Sequence, residues 1–322
     1  MQCSVIIPVY NRADLIKFTL NSLDAGFHSG VNLEIIVVDD GSTDNVIEVV
    51  KTQYPHVIVM ANKGKGASSA RNEGLAVATG KYVVYLDSDD LIGPEFLKAK
   101  IDFLQQNDEV GAVYGKYEYF DSEGDFVEKD IIFKHKYPVI KSLNATAEHI
   151  TNYFGGNYIP QNAIVWKREV LVDLGGHDSK LLVNQDVELV IRALLNGTKI
   201  MGIDDDTHAY IRHHSSDVRV GLVANSIPKL QNILDLRRRL FSEFVKSEYC
   251  NDRSLKSLST YLFNFWRSTR HFDKELANSF LSLSKEIYWP IKIKGNLFFR
   301  TLGSLLGPVN AVEIKYFLLK RD

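Results

Sequence analysis

Asp87-Ser88-Asp89-Asp90 closes a run of β-branched and aromatic residues, Lys81-Tyr-Val-Val-Tyr-Leu86. That run reads as a buried strand, so its acids emerge together at the carboxyl end. Three like charges within four residues raise one another's pKa values unless a cation, or a ligand carrying one, holds them. A divalent metal site is the chemistry this pattern points to. The plainer alternative is a helix start, with Asp90 capping a segment that opens at Pro94-Glu95. A cap accounts for one acid, not three.

The elements that position these acids repeat a pattern. Ser4 to Ile7 runs into Pro8-Val9-Tyr10-Asn11-Arg12 and then into apolar residues at helical spacing, Leu15, Ile16, Leu20 and Leu23. Leu33 to Val38 ends in Asp39-Asp40-Gly41-Ser42-Thr43-Asp44 before a helical stretch near Val46. Val57 to Met60 precedes a helix over Ala67 to Ala78, which Gly80 would close as a C-cap. Such alternation builds a parallel sheet with helices on both faces, and ligands bind outside the carboxyl ends of its strands. Tyr10, Asp39/Asp40 and Asp87/Asp89/Asp90 are therefore expected to line one crevice.

Composition narrows the alternatives. The chain has 322 residues, 45% of them hydrophobic, enough for one large domain and a C-terminal appendage. A net charge of -2 argues against a dedicated nucleic-acid binder. Cys3 and Cys250 are too few and too far apart for a disulfide framework or a thiolate metal site. No charged-then-apolar leader opens the sequence and no apolar run reaches ~18 residues, so a cytoplasmic protein is expected. Gly64-Lys-Gly66 lacks the third glycine of a dinucleotide fingerprint, where Ser69 stands. Gly74 to Gly80-Lys81 is one residue too long for a P-loop and ends in Tyr82.

Four ordered segments carry a family resemblance: Ser4-Val-Ile-Ile-Pro-Val-Tyr-Asn11, Val37-Val-Asp-Asp-Gly-Ser-Thr-Asp44, Gly66-Ala-Ser-Ser-Ala-Arg-Asn-Glu-Gly74 and Tyr85-Leu-Asp-Ser-Asp-Asp90. Together they resemble the family 2 inverting glycosyltransferases of the GT-A fold, over about residues 1 to 220. A weaker downstream block is Gly175-Gly-His177 with Asn184-Gln-Asp-Val-Glu-Leu189. The resemblance implies an α/β fold, a mixed but mainly parallel sheet flanked by helices. Residues 1–90 would form the nucleotide-binding half, 91–220 the acceptor half, and 221–322 a C-terminal helical region.

The resemblance also implies roles. Asp89 would bind Mg²⁺ or Mn²⁺ at the donor diphosphate, and Asp87, with Pro8 and Ser88 beside it, would belong to the nucleotide-sugar site. Asp40 would accept from a nucleobase N–H, Tyr10 would stack on the base or else be a core aromatic, and Arg71 would meet the diphosphate or else be a solvated helix-face arginine. Asp186, opening a helix with Val187, Leu189, Val190, Ala193 and Leu194 as its apolar positions, resembles the family's catalytic base, although Gln185 stands where an acid is usual. An N-terminal helix cap is the alternative for Asp186. In Arg212-His213-His214-Ser215-Ser216, His213 has the spacing of a metal or diphosphate contact; two solvated histidines are the alternative.

Other segments are less specific. Asp204-Asp205-Asp206 looks like a second metal cluster, but an acidic turn between strand-like runs at 199–203 and 209–211 explains it more simply. Pro94 to Gln106 reads as a helix, Val110 to Tyr114 as a strand, and Tyr117 to Phe133 as a polar hairpin around Ser122-Glu-Gly124. Gly155-Gly-Asn157 and Ile159-Pro-Gln161 suit a loop near an acceptor. Beyond residue 220 apolar stripes recur at helical spacing, and the last segment mixes Tyr288, Trp289 and Phe298 with Lys285, Lys292 and Arg300. Those helices would dock at a membrane surface, or else pack as a bundle on the catalytic domain or form a homodimer contact. The functional expectation is sugar transfer from a nucleotide diphosphate sugar, most simply a uridine diphosphate sugar, to a saccharide acceptor that includes polyprenyl-linked ones. The alternative is a non-catalytic sugar-nucleotide-binding or scaffold subunit of a polysaccharide assembly complex.

Overall fold

The computed structural model describes residues 2–24, 28, 30–121, 131–134, 137–213 and 226–288. The first half of the chain alternates strand and helix: β1 (Gln2–Val9), α1 (Ile16–Asn21), β2 (Asn32–Asp39), α2 (Val46–Gln53), β3 (Ile58–Ala61), α3 (Ala67–Val77) and β4 (Tyr82–Tyr85). Strands β1 to β4 are mutually parallel in the order β4-β1-β2-β3. Their near-continuous apolar sequences follow from burial on both faces; Val5, Ile6, Ile7, Ile36, Val37, Val38, Val83 and Val84 are all buried.

The chain continues through β5 (Leu91–Ile92), α4 (Phe96–Gln106), β6 (Val110–Tyr114), β7 (Lys116–Phe120), β8 (Ile131–Lys134), α5 (Thr146–Phe154), β9 (Ile164–Lys167), α6 (Arg168–Asp173), α7 (Gln185–Leu195), β10 (Lys199–Gly202) and β11 (His208–Arg212). β9 enters the main sheet antiparallel to both β4 and β6, and β10 pairs parallel with β6, completing seven strands ordered β10-β6-β9-β4-β1-β2-β3. A smaller sheet, β5-β11-β7-β8, is assembled from strands distant in sequence. The fold is the expected mixed, mainly parallel α/β sheet.

Two local readings change and a third is met. Gly80 is not a helix C-cap, because α3 ends at Val77 and Gly80 has no positive φ. It is a close-approach residue: a Cβ there would lie 2.6 Å from the Ser4 backbone nitrogen, and the Gly80 N–H donates to Ser4 Oγ at 2.9 Å. Asp90 does not cap α4, which begins at Phe96 after Glu95 in the left-handed region. The hairpin reading over residues 117–133 is met by β7 pairing antiparallel with β8, while its turn, Ser122-Glu-Gly124, lies outside the described residues.

The chain folds as two compact units, residues 1–153 with 157–223, and residues 154–156 with 224–322. The described part of the second unit is helical: α8 (Ile227–Phe244), α9 (Asp252–Thr269) and α10 (Lys274–Ile287). Side-chain caps start two of them, Asn251 accepting from Ser254 N and Asp273 from Leu276 N. Leu262, Trp266, Phe280 and Leu283 are buried on α9 and α10, the Phe265 and Phe280 rings stack between the two helices at 5.2 Å, and Ser259 and Ser284 exchange hydroxyl-to-carbonyl hydrogen bonds at 2.8 and 2.9 Å. Residues 289–322, with the aromatic and basic stretch from Trp289 onward, lie outside the described residues.

Candidate active site

Parallel pairing brings the carboxyl ends of β1, β2 and β4 to one edge of the sheet. At the end of β1, Pro8 is buried and Tyr10 is 54% exposed. Tyr10 is thus not a core aromatic, and its ring is available to a planar ligand. Asn11 follows in the left-handed region, φ +50°, a conformation that asparagine tolerates. That turn aims Asn11 Oδ1 at the β2–α2 loop, where it accepts from Thr43 N at 2.7 Å, while Asn11 N donates to Ser42 Oγ at 3.0 Å. Asp44 Oδ2 accepts from Ala13 N at 2.9 Å. Two loops after two strands are laced into one rim.

Asp40 closes β2. Its carboxylate accepts from Asn62 Nδ2 at 2.6 Å and from Gly66 N at 2.8 and 2.9 Å, fixing the β3–α3 loop. A carboxylate offers about four lone-pair sites, so acceptor capacity is left for a ligand N–H.

At the end of β4 the three acids have three environments. Asp87 is half exposed and takes a 2.6 Å bond from Arg71 Nη2, whose side chain is only 5% exposed. Arg71 is therefore not a solvated helix-face residue; α3 turns it inward beneath the site. Ser88 is buried. Asp89 lies 3.7 Å from Arg12 Nε. Asp90 is buried, accepts from Arg212 N at 2.8 Å and Asn162 Nδ2 at 3.2 Å, and has its pKa pushed well above the ordinary value, by burial first and then by Asp89 and Asp87. The repulsion read from the sequence is present. Among the described residues, no three His, Cys, Asp or Glu side chains form a cage for a metal ion.

Asp186 reaches the same place from the other half of the chain. Gly175 and Gly176 both take positive φ after α6, and Asn72 locks the turn by accepting from His177 N and donating to His177 O, each at 2.8 Å. Arg192 donates to Gly176 O at 2.7 Å and pairs with Glu188 at 2.8 and 2.9 Å. Glu188 is thus occupied in holding the turn. Asp186, in the first turn of α7, accepts from Val187 N at 2.9 Å. Burial raises its pKa; Asp87 adds to that rise, and Arg71 opposes it. Asp87, Arg71 and Asp186 therefore share one crevice.

His213 follows β11, its backbone N–H donating to Phe120 O at 2.7 Å, next to Arg212, which donates from Nε to Asp89 O at 3.0 Å. His214 to Ser216 lie outside the described residues. The acidic turn is a turn: Lys100 donates to both oxygens of Asp205 at 2.9 Å, and Lys116 pairs with Asp204 at 2.8 Å. Sequence reading did not single out Arg12, Asn162 or Arg212. The last two contact Asp90 across 72 and 122 residues, a separation for which no short-range signal exists.

A family model described as glycosyl transferase family 2 matches residues 4–167. The chain is 42% identical over 108 residues to an uncharacterized glycosyltransferase, YibD, of Escherichia coli (strain K12), covering 33% of this chain and 31% of that protein. It is 26% identical over 283 residues to a poly(ribitol-phosphate) beta-glucosyltransferase of Bacillus spizizenii (strain ATCC 23059 / NRRL B-14472 / W23), covering 85% of this chain and 40% of that protein. Against these relatives the chain spans less than half of their length. The crystal structure of S. aureus TarS 1-349 in complex with UDP-GlcNAc superposes with a TM-score of 0.62 at 22% identity, covering 97% of this chain and 82% of that one. Likeness at that identity establishes the fold.

Proposed function

Because the chain belongs to glycosyl transferase family 2, we propose that it transfers a sugar, with inversion, from a uridine diphosphate sugar to a saccharide acceptor in surface polysaccharide or glycan assembly. The observation that carries this reading is the convergence of Arg71, Asp87 and Asp186 at the strand ends that also present Tyr10 and Asp40. Tyr10 stacks on the nucleobase and Asp40 accepts its N–H, with Pro8 and Ser88 lining the floor. Arg71 holds Asp87 in place on the donor side. Asp186 takes the proton of the acceptor hydroxyl as the new bond forms at the anomeric carbon and the diphosphate departs from the opposite face. Its burial suits this, because a carboxylate of raised pKa is a stronger base.

A divalent cation, Mn²⁺ or Mg²⁺, fits the acids of β4 as a shared site. Asp89 would hold it, with His213 as a further ligand. A missing third acid does not count against the fit, since Mg²⁺ sites commonly use one or two carboxylates and complete their shell with phosphate and water. When bound, such an ion stabilises the charge that develops on the leaving nucleoside diphosphate.

The test is nucleotide release from a panel of UDP-glucose, UDP-galactose, UDP-N-acetylglucosamine and GDP-mannose, read by luminescence, with UDP binding followed by melting temperature. Release from a UDP sugar together with stabilisation by UDP is expected. Stabilisation without release from any donor would make the chain a sugar-nucleotide-binding subunit, and neither would refute the reading.

For the C-terminal unit we propose peripheral contact with an anionic membrane surface, where a polyprenyl-linked acceptor would lie. Among the described residues no helix is long and apolar enough to cross a membrane. Residues 224–322 carry 17 Lys and Arg against 9 Asp and Glu, which favours an anionic surface over a second copy of the same unit. Binding to phosphatidylglycerol vesicles that weakens as salt rises is expected; a doubled sedimentation mass with no vesicle binding would assign the unit to a homodimer instead.

A further inference from the structure

Five buried polar atoms without a hydrogen-bond partner gather around Arg71: its own Nε and Nη1, Tyr85 Oη, and His177 Nδ1 and Nε2. They come from α3, from β4 and from the Gly175–His177 turn, and they meet in one place. The Tyr85 and His177 rings pack edge to face with centroids 4.8 Å apart. The Arg71 charge acts on Tyr85, on His177 and on Asp186. Ser68 Oγ, one turn earlier on α3, is a further buried atom with no partner. The Gln185 carbonyl is near enough to favour a charged imidazole but does not meet hydrogen-bond geometry.

A buried donor or acceptor left unmade is costly, and folded proteins fill such places with ordered water held by two to four polar partners. His177 cannot relieve the shortage by protonating. Burial, and after it the charges of Arg71 and Arg192, hold its pKa well below the ordinary histidine value. Shape alone does not explain a histidine here either, because an apolar ring would leave no orphaned nitrogens against Tyr85.

The geometry points to a set of ordered internal waters bridging Arg71, Tyr85 and His177, with His177 and Tyr85 as positioning residues that keep the Arg71 guanidinium turned toward Asp87 and Asp186. The functional consequence rests on the reading of Asp186 as the base. Arg71 is the cation that opposes the burial of Asp186, while Asp87 adds to it and the Tyr153 phenol also feels Asp186. If Arg71 swings away, Asp186 holds its proton to higher pH and fewer molecules carry an ionised base.

The experiment pairs a high-resolution crystal structure of the full chain with the pH profile of UDP release from the best donor of the panel above. Parent crystals are expected to show water density contacting Arg71 and His177. His177→Phe should lose that density, lower kcat by about tenfold with donor KM within about twofold, and move the acid limb of kcat to higher pH. His177→Gln should recover most of the loss. Tyr85→Phe deletes a single hydroxyl, so it carries the same test if His177→Phe does not fold. Dry density around these atoms in the parent, or a His177→Phe enzyme with parental kcat and acid limb, would overturn the proposal. Full turnover in Asp186→Asn would remove the base assignment and leave the water set to be judged on density alone.

Discussion

Two acidic triplets lie in the same unit, and their surroundings differ in kind. In Asp204-Asp205-Asp206 the lysines come to the acids. Lys100, with no exposed side-chain surface, binds Asp205, and Lys116 and Lys141 bind Asp204 at 2.8 and 3.4 Å. Burial pushes Asp205 up, but Lys100 and Thr207 outweigh it and its pKa falls below the ordinary value. In Asp87, Asp89 and Asp90 the balance is reversed. Arg71 meets Asp87 at short range, Arg12 stands 3.7 Å from Asp89, and Asp90 is buried with its pKa driven upward. Acid count alone would rank the two clusters together. What separates them is whether the counter-charge prevails: Lys100 outweighs the burial of Asp205, whereas Arg212 does not outweigh that of Asp90, and an acid so perturbed at the strand ends marks where a ligand is expected.

The largest effect that tests this contrast is loss of the cation. Chelation with EDTA is expected to abolish sugar transfer, with Mn²⁺ or Mg²⁺ restoring it, and Asp89→Ala should stay folded while losing activity. The corresponding change in the other triplet, Asp204→Ala, should leave transfer at the parental level. Full activity in chelator would place both triplets in the same structural class. Next in size is Asp186→Asn, which keeps the side-chain volume and the acceptor for Val187 N. Turnover should fall by at least ~10²-fold, the lower range for a positioned base, while calorimetric binding of UDP changes by less than about threefold. A collapse of UDP affinity would move Asp186 to the donor site.

The first triplet was legible in the sequence and its supporting shell was not. Strand, acids, turn and helix are local signals, so β1 to β4 and their terminal residues Tyr10, Asp40 and Asp87 could be placed from patterning alone. For Asp90 the sequence offers a helix cap only as an alternative, because its visible neighbours are downstream; its partners Asn162 and Arg212 arrive from β9 and β11 regions far along the chain. β9 carries no such signal, since Ile164-Val-Trp166 is a short apolar run with no alternation, and its antiparallel place between β4 and β6 is a tertiary fact. Tyr10 and Arg71 left two readings open in the sequence because exposure decides between them, and exposure depends on what packs above.

A third test concerns stability. Asp205→Ala leaves the Lys100 ammonium buried with Thr207 Oγ1 at 2.6 Å and the Phe96 ring 4.1 Å from its nitrogen. Stranding a buried charge costs roughly 3–5 kcal/mol, and those two remaining contacts place the expected loss near ~3 kcal/mol in denaturant unfolding. Asp89→Ala should cost far less, because Arg12 stands 3.7 Å away and its side chain is 29% exposed, so no buried cation is stranded. Equal losses at the two positions would erase the contrast.

The smallest effect is in the acid range. Asp205 has a folded pKa below its ordinary value of 3.8, so its contribution to stability is present above that value and is lost as pH falls through the folded one. The parent should therefore lose stability more steeply than Asp205→Asn below about pH 4, and the two unfolding curves should converge there. Part of the Asp205 carboxylate is exposed, so solvent screening limits the convergent portion to about 1 kcal/mol or less. Asp90 is excluded from this window by the sign of its shift: a carboxyl whose folded pKa is raised gains no stability from ionising, and acid does not weaken the fold through it. Urea melts of the parent and Asp205→Asn between pH 3 and 7 measure the difference directly. Parallel curves through that range would mean that Lys100 does not hold Asp205 ionised, and the two triplets would then differ in geometry without differing in charge.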